Sequence, residues 1–428
     1  MPKLLIVPGT LFIILLAGCS SSGSRAPAPT ASNATLPSAL PAGAGGTWPE
    51  EAGSNGGVPI GNTSGRFTVA ANLGVASAGH TATLLPNGNI LVAGAGQLDI
   101  DDLLVSYSSA TTLGPSGQVV STRNLTTPRE FHTATLLQNG KVLITGGNVF
   151  TGYPTWLPST ASAELYDPAT GQFTATGDMS AARTGHTASL LLDGRVLIFG
   201  GTPSGTPSAE IYDPVTGTFA GVPSPSSSRS GHTATVLPSG KILYVGGRNS
   251  SGTLATAEIY DPATNSFRAV GSMAEQRTKH TATLLTNGKV LVAGGGVGSD
   301  SGFGGTPDIY PQQTFESPSH TTELFDPQTE TFSPAGNMNT GRSNHTATLL
   351  PDGTVLLFGG SHAWSNSSGY TSDNTAEIYD PATGSFKQAG NANTGKFWHT
   401  ATLLPNGTVA LVGGIDHDWT LNVVEIFK

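Results

Sequence analysis

Residues 132–147 read HTATLLQNGKVLITGG, and this phrase decides the fold because it recurs seven times. His80, His132, His186, His232, His280, His345 and His399 each open a copy beginning HTAT or HTAS, at successive spacings of 52, 54, 46, 48, 65 and 54 residues. A period of this length marks an array of supersecondary units, none of which buries its apolar face alone. Inside each copy a short apolar stretch runs into a turn pair: Asn87-Gly88, Asn139-Gly140, Asp193-Gly194, Ser239-Gly240, Asn287-Gly288, Asp352-Gly353 or Asn406-Gly407. Ser-Gly is the weakest of these, and the others suit two-residue hairpins that need positive φ. A second apolar run and a glycine pair follow, from Gly146-Gly147 to Gly413-Gly414, with Gly94-Ala95 in the first copy.

Six copies then carry a strand of the type AELYDPATGQF, with its acid at Glu164, Glu210, Glu258, Glu323, Glu377 and Glu425. Pro early and Gly late in DPATG suit a slightly longer hairpin into a fourth strand. Each copy is therefore expected to be a four-stranded antiparallel sheet. The last copy stops at Val424-Glu425-Ile426-Phe427-Lys428, its third strand, while a spare strand, GRFTVAANLG, precedes the first HTAT. There Phe67 matches Phe173, Phe219, Phe267, Phe332 and Phe386 of the fourth strands. The N-terminal strand is expected to complete the seventh sheet, closing a ring that has no long open edge. The fold class that follows is all-β, a seven-bladed β-propeller over 65–428. The 57 Gly, 29 Pro and 11% charged residues of the 428-residue chain agree with a turn-rich β protein.

The glycine doublet, the downstream Tyr and the later aromatic resemble the kelch family, with Phe standing where kelch repeats usually carry Trp. The H-T-A, N-G-K-V-L and G-G phrasing is also similar to the central propeller domain of galactose oxidase. That resemblance implies a kelch-type propeller. The copper-radical relatives join a Cys to a Tyr and hold copper by Tyr and His, with one ligand from a further C-terminal domain. Here Cys19 is the single cysteine and belongs to the export signal, and nothing follows the propeller, so copper-radical chemistry is not expected. Other kelch propellers act on sugars, such as sialic acid epimerases. A carbohydrate-active enzyme, with His320, His362 or His417 as acid or base, is therefore one alternative reading, and a structural envelope component is another. No G-x-S-x-G, H-E-x-x-H or zinc-type Cys pair occurs.

Ahead of the repeats, the apolar run Leu11 to Leu16 is too short to span a bilayer and suits the core of a signal peptide. Leu16-Ala17-Gly18-Cys19 resembles the bacterial lipoprotein signal, which implies cleavage after 18 and acylation of Cys19. Ser20 after the Cys resembles the outer-membrane form. Residues 19–64, rich in Ser, Ala, Pro, Gly, Thr and Asn, read as a tether that cannot bury enough apolar surface to order itself. A net charge of −9 without a Lys/Arg block excludes a nucleic-acid footprint and a polybasic membrane patch. The expected protein is a monomeric propeller attached to the membrane by its N-terminal lipid.

A residue repeated in every blade is expected to serve the blade. The seven His are read so in preference to a metal- or pH-sensing ring. Three positions before the His stand Arg129, Arg183, Arg229, Arg277 and Arg342, with Lys396 in the seventh blade and Ser77 in the first. The first blade also lacks the third-strand Glu, with Val105 expected in that place. Joint loss of both charges predicts that each Arg pairs with the Glu of its own blade.

Function is expected where the blades differ, in the loops between second and third strands, all on one face. These loops carry Phe150, Tyr153 and Trp156 in blade two, and Asp300, Phe303, Asp308, Tyr310, Phe315 and His320 in blade five. They carry His362, Trp364 and Tyr370 in blade six, and His417 and Trp419 in blade seven. Aromatic loops on a rigid scaffold suit a glycan or protein ligand. Asp99 and Asp101 in blade one, with Asp416 and Asp418 in blade seven, are weak candidate ligands for Ca²⁺, their spacing matching no strong loop motif. No other cofactor is expected.

Overall fold

Short apolar runs bounded by Asn-Gly and Asp-Pro turns give strands of mostly four to six residues, and the turns stack four of them into each sheet. In a computed structural model of the protein, the described residues are 65–98, 104–150, 159–202, 208–297, 317–361, 371–417 and 419–428. Blade two shows the plan: Thr133–Leu136, Val142–Thr145, Ala163–Asp167 and Gln172–Ala175 pair antiparallel in that order. Seven such sheets form, with the HTAT strands in contact from blade to blade around a closed ring. The innermost strands are Thr81–Leu84, Thr133–Leu136, Thr187–Leu190, Thr233–Val236, Thr281–Leu284, Thr346–Leu349 and Thr400–Leu403. The all-β seven-bladed propeller expected from the repeats is what the chain adopts.

Closure follows the expected route. The seventh sheet runs Thr400–Leu403, Val409–Val412, Val423–Phe427 and finally Phe67–Asn72, with Phe67 opposite Phe427. The stacking of that pair, with ring centroids 5.0 Å apart, repeats in Tyr166–Phe173, Tyr212–Phe219, Tyr260–Phe267, Phe325–Phe332 and Tyr379–Phe386. Second strands such as VLIT and VLIF are buried throughout because neighbouring blades cover both faces, which is why they read as unbroken apolar runs. The core is accordingly divided among seven interfaces. One cluster joins Leu137 and Leu143 of blade two to Val196 and Ile198 of blade three, and another joins Val412 and Val424 of blade seven to Ile90 and Val92 of blade one.

Two local expectations are corrected. The inner turns are three-residue loops, not two: in blade two Gly140 N donates to Leu137 O and Leu137 N to Lys141 O, with Gly140 alone at positive φ, 82°. A tight turn followed by one left-handed glycine serves the same hairpin, and the Asn139 side chain accepts from Lys141 N in place of adopting positive φ itself. In blade one the second and third strands are longer than elsewhere, Ile90–Leu98 and Leu104–Leu113. Val92 therefore faces Thr111, and Thr111 occupies the place of the missing Glu, whereas Val105 lies further out opposite Gln97.

The repeated polar residues tie the blades together. Arg183 reaches Glu210 at 2.8 Å and donates to the carbonyl of Gly200; Arg129–Glu164, Arg229–Glu258, Arg277–Glu323, Arg342–Glu377 and Lys396–Glu425 repeat the pairing. The expected within-blade pairs are thus present in all six blades that carry the charges. Each His instead reaches across an interface. His132 Nε2 bonds Thr81 Oγ1 at 2.9 Å, His80 bonds Thr400 at 2.9 Å, and His186, His232, His280, His345 and His399 each find the equivalent Thr of the preceding blade. The glycine doublet makes room for this bond. A Cβ on Gly146 would stand 2.6 Å from Arg183 O and 2.7 Å from His186 Cε1, at a backbone φ of 64°.

Candidate functional site at the axial mouth

The His–Thr ring leaves one residue before each His to turn the chain from the blade's edge into the axis. These seven residues are Gly79, Phe131, Gly185, Gly231, Lys279, Asn344 and Trp398, and every one has positive φ, between 50° and 62°. Their backbones form a belt: Phe131 N donates to Gly79 O at 2.7 Å, Gly231 N to Gly185 O at 3.0 Å and Asn344 N to Lys279 O at 3.1 Å. The left-handed conformation suits glycine and costs about 1–2 kcal/mol for a residue with a Cβ. Three blades place Gly here. Four place bulky or polar side chains against that cost, and strain of this kind gathers at sites of recognition.

These side chains line a cavity of about 320 Å³ on the propeller axis, floored by His232, His280, His345 and His399. Trp398 packs edge-on against Phe131, ring centroids 5.1 Å apart, and its Nε1–H donates to Asn344 Oδ1 at 3.0 Å. Beneath them Ala78, Phe397 and Ile415 form a small buried cluster. The histidines are desolvated, which holds His80 down to about 4 and His280 and His345 to about 3, so the floor is neutral. Lys279 is the cation of the described lining, and that lining contains no carboxylate. The mouth thus offers an aromatic wall, an amide, an ammonium and a ring of neutral imidazoles, a set suited to binding a polar ring-shaped solute.

Among known proteins, a family model for the KLHDC2/KLHL20/DRC7 Kelch-repeats domain matches residues 79–296. The chain belongs to this kelch-repeat family. No curated protein sequence matches it. Among solved structures the kelch propeller resembles a fungal alcohol oxidase of the AA5 family, determined in complex with copper, at 18% identity and a TM-score of 0.65. The match covers 85% of this chain and 76% of that one, and it shows a shared fold.

The second strands of the kelch propeller end on the same face as the mouth, because each ends beside the start of an innermost strand. Phe150 is corrected by its surroundings: it is 3% exposed, its N–H donates to Ser106 Oγ and its carbonyl accepts from Ser106 N. It pins its loop to blade one and presents no free face. Blade seven does offer an outward group. Ile415–Asp416 pairs with Trp419–Thr420, leaving Trp419 76% exposed and His417 at the tip with Nδ1 2.7 Å from Asp416 Oδ1. Asp416 also accepts the Ser372 hydroxyl, so it is engaged within the protein. His320 is exposed. Cys19, Tyr153, Trp156, Tyr310, Phe315, His362, Trp364, Tyr370, Asp99, Asp101 and Asp418 lie outside the described residues. Among the described residues no three His, Cys, Asp or Glu side chains gather as a metal site.

Sequence reasoning missed the mouth itself. The signal was present in the slot before each invariant His, which reads Gly, Phe, Gly, Gly, Lys, Asn and Trp around the ring. Three glycines beside four unrelated bulky residues is the pattern of a left-handed position that some blades use for contacts.

Proposed function

We propose that this kelch propeller is a binding module of the bacterial cell envelope, held to the membrane through a lipidated Cys19, and that its ligand is a glycan seated in the axial mouth. The observation that carries this reading is the choice of Phe131, Lys279, Asn344 and Trp398 at positions where the backbone favours glycine. Their side chains contribute aromatic and hydrogen-bonding surface at the centre of a rigid ring, where recognition energy is concentrated. The exposed Trp419 of blade seven adds an aromatic face to that reading. An outer-membrane location follows from Ser20 after Cys19 in the same reading.

Glycine replacement separates binding from folding. Lys279→Gly and Phe131→Gly restore the residue type that three other blades use, so each is expected to leave the unfolding temperature within a few degrees of the parent chain while weakening glycan binding at least tenfold. Glycan-array screening followed by calorimetry on the best ligand checks this. A ligand bound equally well by both variants and by Trp398→Gly overturns the assignment of the mouth, and turnover of the bound sugar moves the protein to the carbohydrate-active enzymes.

A further inference from the structure

One polar pair beneath the mouth is unlike its counterparts. Just outside the belt, the strand leading to each His bridges the start of the loop after the second strand, with Ala78 opposite Gly96 in blade one, Thr278 opposite Gly296 in blade five and Phe397 opposite Ile415 in blade seven. These pairs are small or apolar, and in blade four Ser230 stands opposite Arg248, a side chain with a partner of its own. In blade six the bridge is Ser343 and Ser361, whose hydroxyls satisfy each other at 2.9 Å. In blade two it is Glu130 and Asn148.

Glu130 is 0% exposed and Asn148 is 1% exposed, and all four of their side-chain polar atoms lack a hydrogen-bond partner. Glu130 N donates to Asn148 O at 3.1 Å and Asn148 N to Glu130 O at 2.8 Å, so the two residues are direct cross-strand neighbours with side chains on one side of the bridge. Arg129, the adjacent cation, is committed to Glu164 and to the carbonyl of Gly146. A buried carboxylate is retained in proteins when it is paired or coordinates a metal. Left alone it takes up a proton, and burial does push the Glu130 carboxyl well above the usual range.

We propose that Glu130 and Asn148 bind a desolvated alkali-metal cation, sodium or potassium, within blade two. Glu130 Oε1 and Oε2 and the Asn148 amide oxygen supply three hard oxygen donors from two residues that bridge directly. The site carries one negative charge, which a monovalent ion neutralises and a divalent ion would over-compensate. Phe131 follows Glu130 directly, so the ion would brace the strained residue that forms the aromatic wall of the mouth.

The test is the unfolding temperature of the full chain in sodium, potassium or tetramethylammonium chloride at equal ionic strength. An ion bound by the folded state raises that temperature by mass action, by about 2–5 °C for a site well above half saturation. Sodium or potassium is expected to raise it above the tetramethylammonium value, and Glu130→Gln is expected to abolish the difference. Asn148→Ala, which keeps the carboxylate, is expected to reduce it. Equal temperatures in all three salts overturn the proposal, since the pair then holds only a proton or a water. A difference that survives in Glu130→Gln also overturns it, as does a stabilisation produced by calcium chloride alone.

Discussion

Lowering the pH from 7 to about 5 is expected to unfold the propeller in a single steep transition. All seven ring histidines are buried, and desolvation is the first cause of each lowered value: His80 falls to about 4, His186, His280 and His345 to about 3, and His132, His232 and His399 lie well below the ordinary range. Neighbouring charges, such as Arg183 beside His186 and Arg277 beside His280, add to the effect. In the unfolded chain the same side chains titrate near 6.5. The stability they contribute is therefore complete above that value and is lost as pH falls towards the folded values, because only the unfolded chain binds the protons. Each proton of difference costs about 1.4 kcal/mol per pH unit. Seven together approach 10 kcal/mol per pH unit near pH 5, comparable with the whole stability of an ordinary domain at about 5–15 kcal/mol. Where no cation neutralises it, Glu130 works in the opposite direction, burial raising its value and favouring the folded state in acid, but it is one group against seven. Urea midpoints measured from pH 8 to pH 4.5 check this, and a midpoint that does not move across that range would refute the neutral ring.

The second large effect is expected from Glu258→Ala. The pair it breaks is closed to water, with Arg229 Nε 3.0 Å from Glu258 Oε1 and side-chain exposures of 1% and 0%. The other carboxylate oxygen accepts Ser226 N and Ser226 Oγ, both at 2.9 Å, so the Glu also anchors the approach to the innermost strand. Removing it leaves a guanidinium buried with part of its hydrogen bonding unmet, at a cost of about 3–5 kcal/mol. Blade one shows how the fold does without the pair, with Ser77 and Thr111 both neutral and both buried. The double change Arg229→Ser with Glu258→Thr is accordingly expected to cost less than the sum of the two single changes, by about 2 kcal/mol or more. Ligand binding by the folded fraction of Glu258→Ala is expected to match the parent chain. Chemical denaturation of the four proteins gives the coupling, and strict additivity would show that the two side chains act independently.

Much of this architecture was legible because it is local and repeated. The seven HTAT strands, the spare strand holding Phe67 and the Arg–Glu pairing could all be read by comparing one copy with another. Where a copy is longer, spacing alone misplaces the Glu position: it points to Val105, whereas the extra strand length of blade one puts Thr111 there. The candidate site was read less well. Phe150 looked like a loop aromatic in sequence, and only the Ser106 bonds from the neighbouring blade show that it is a packing residue.

The sequence by itself determined the number of blades, the order of strands within them and the way the ring closes. Those features depend on alternation, turn chemistry and period, and on a spare first strand that matches the missing fourth strand of the last copy. Tertiary structure alone decided what the repeated histidines touch and which residues face the axis. The bond from His80 to Thr400 spans 320 positions of chain, and it exists because ring closure brings blade one against blade seven. The left-handed turn before each His has the same origin. Seven inner strands converge on one axis, the belt of backbone hydrogen bonds fixes φ at each entry, and the side chains placed there are the ones a ligand would meet.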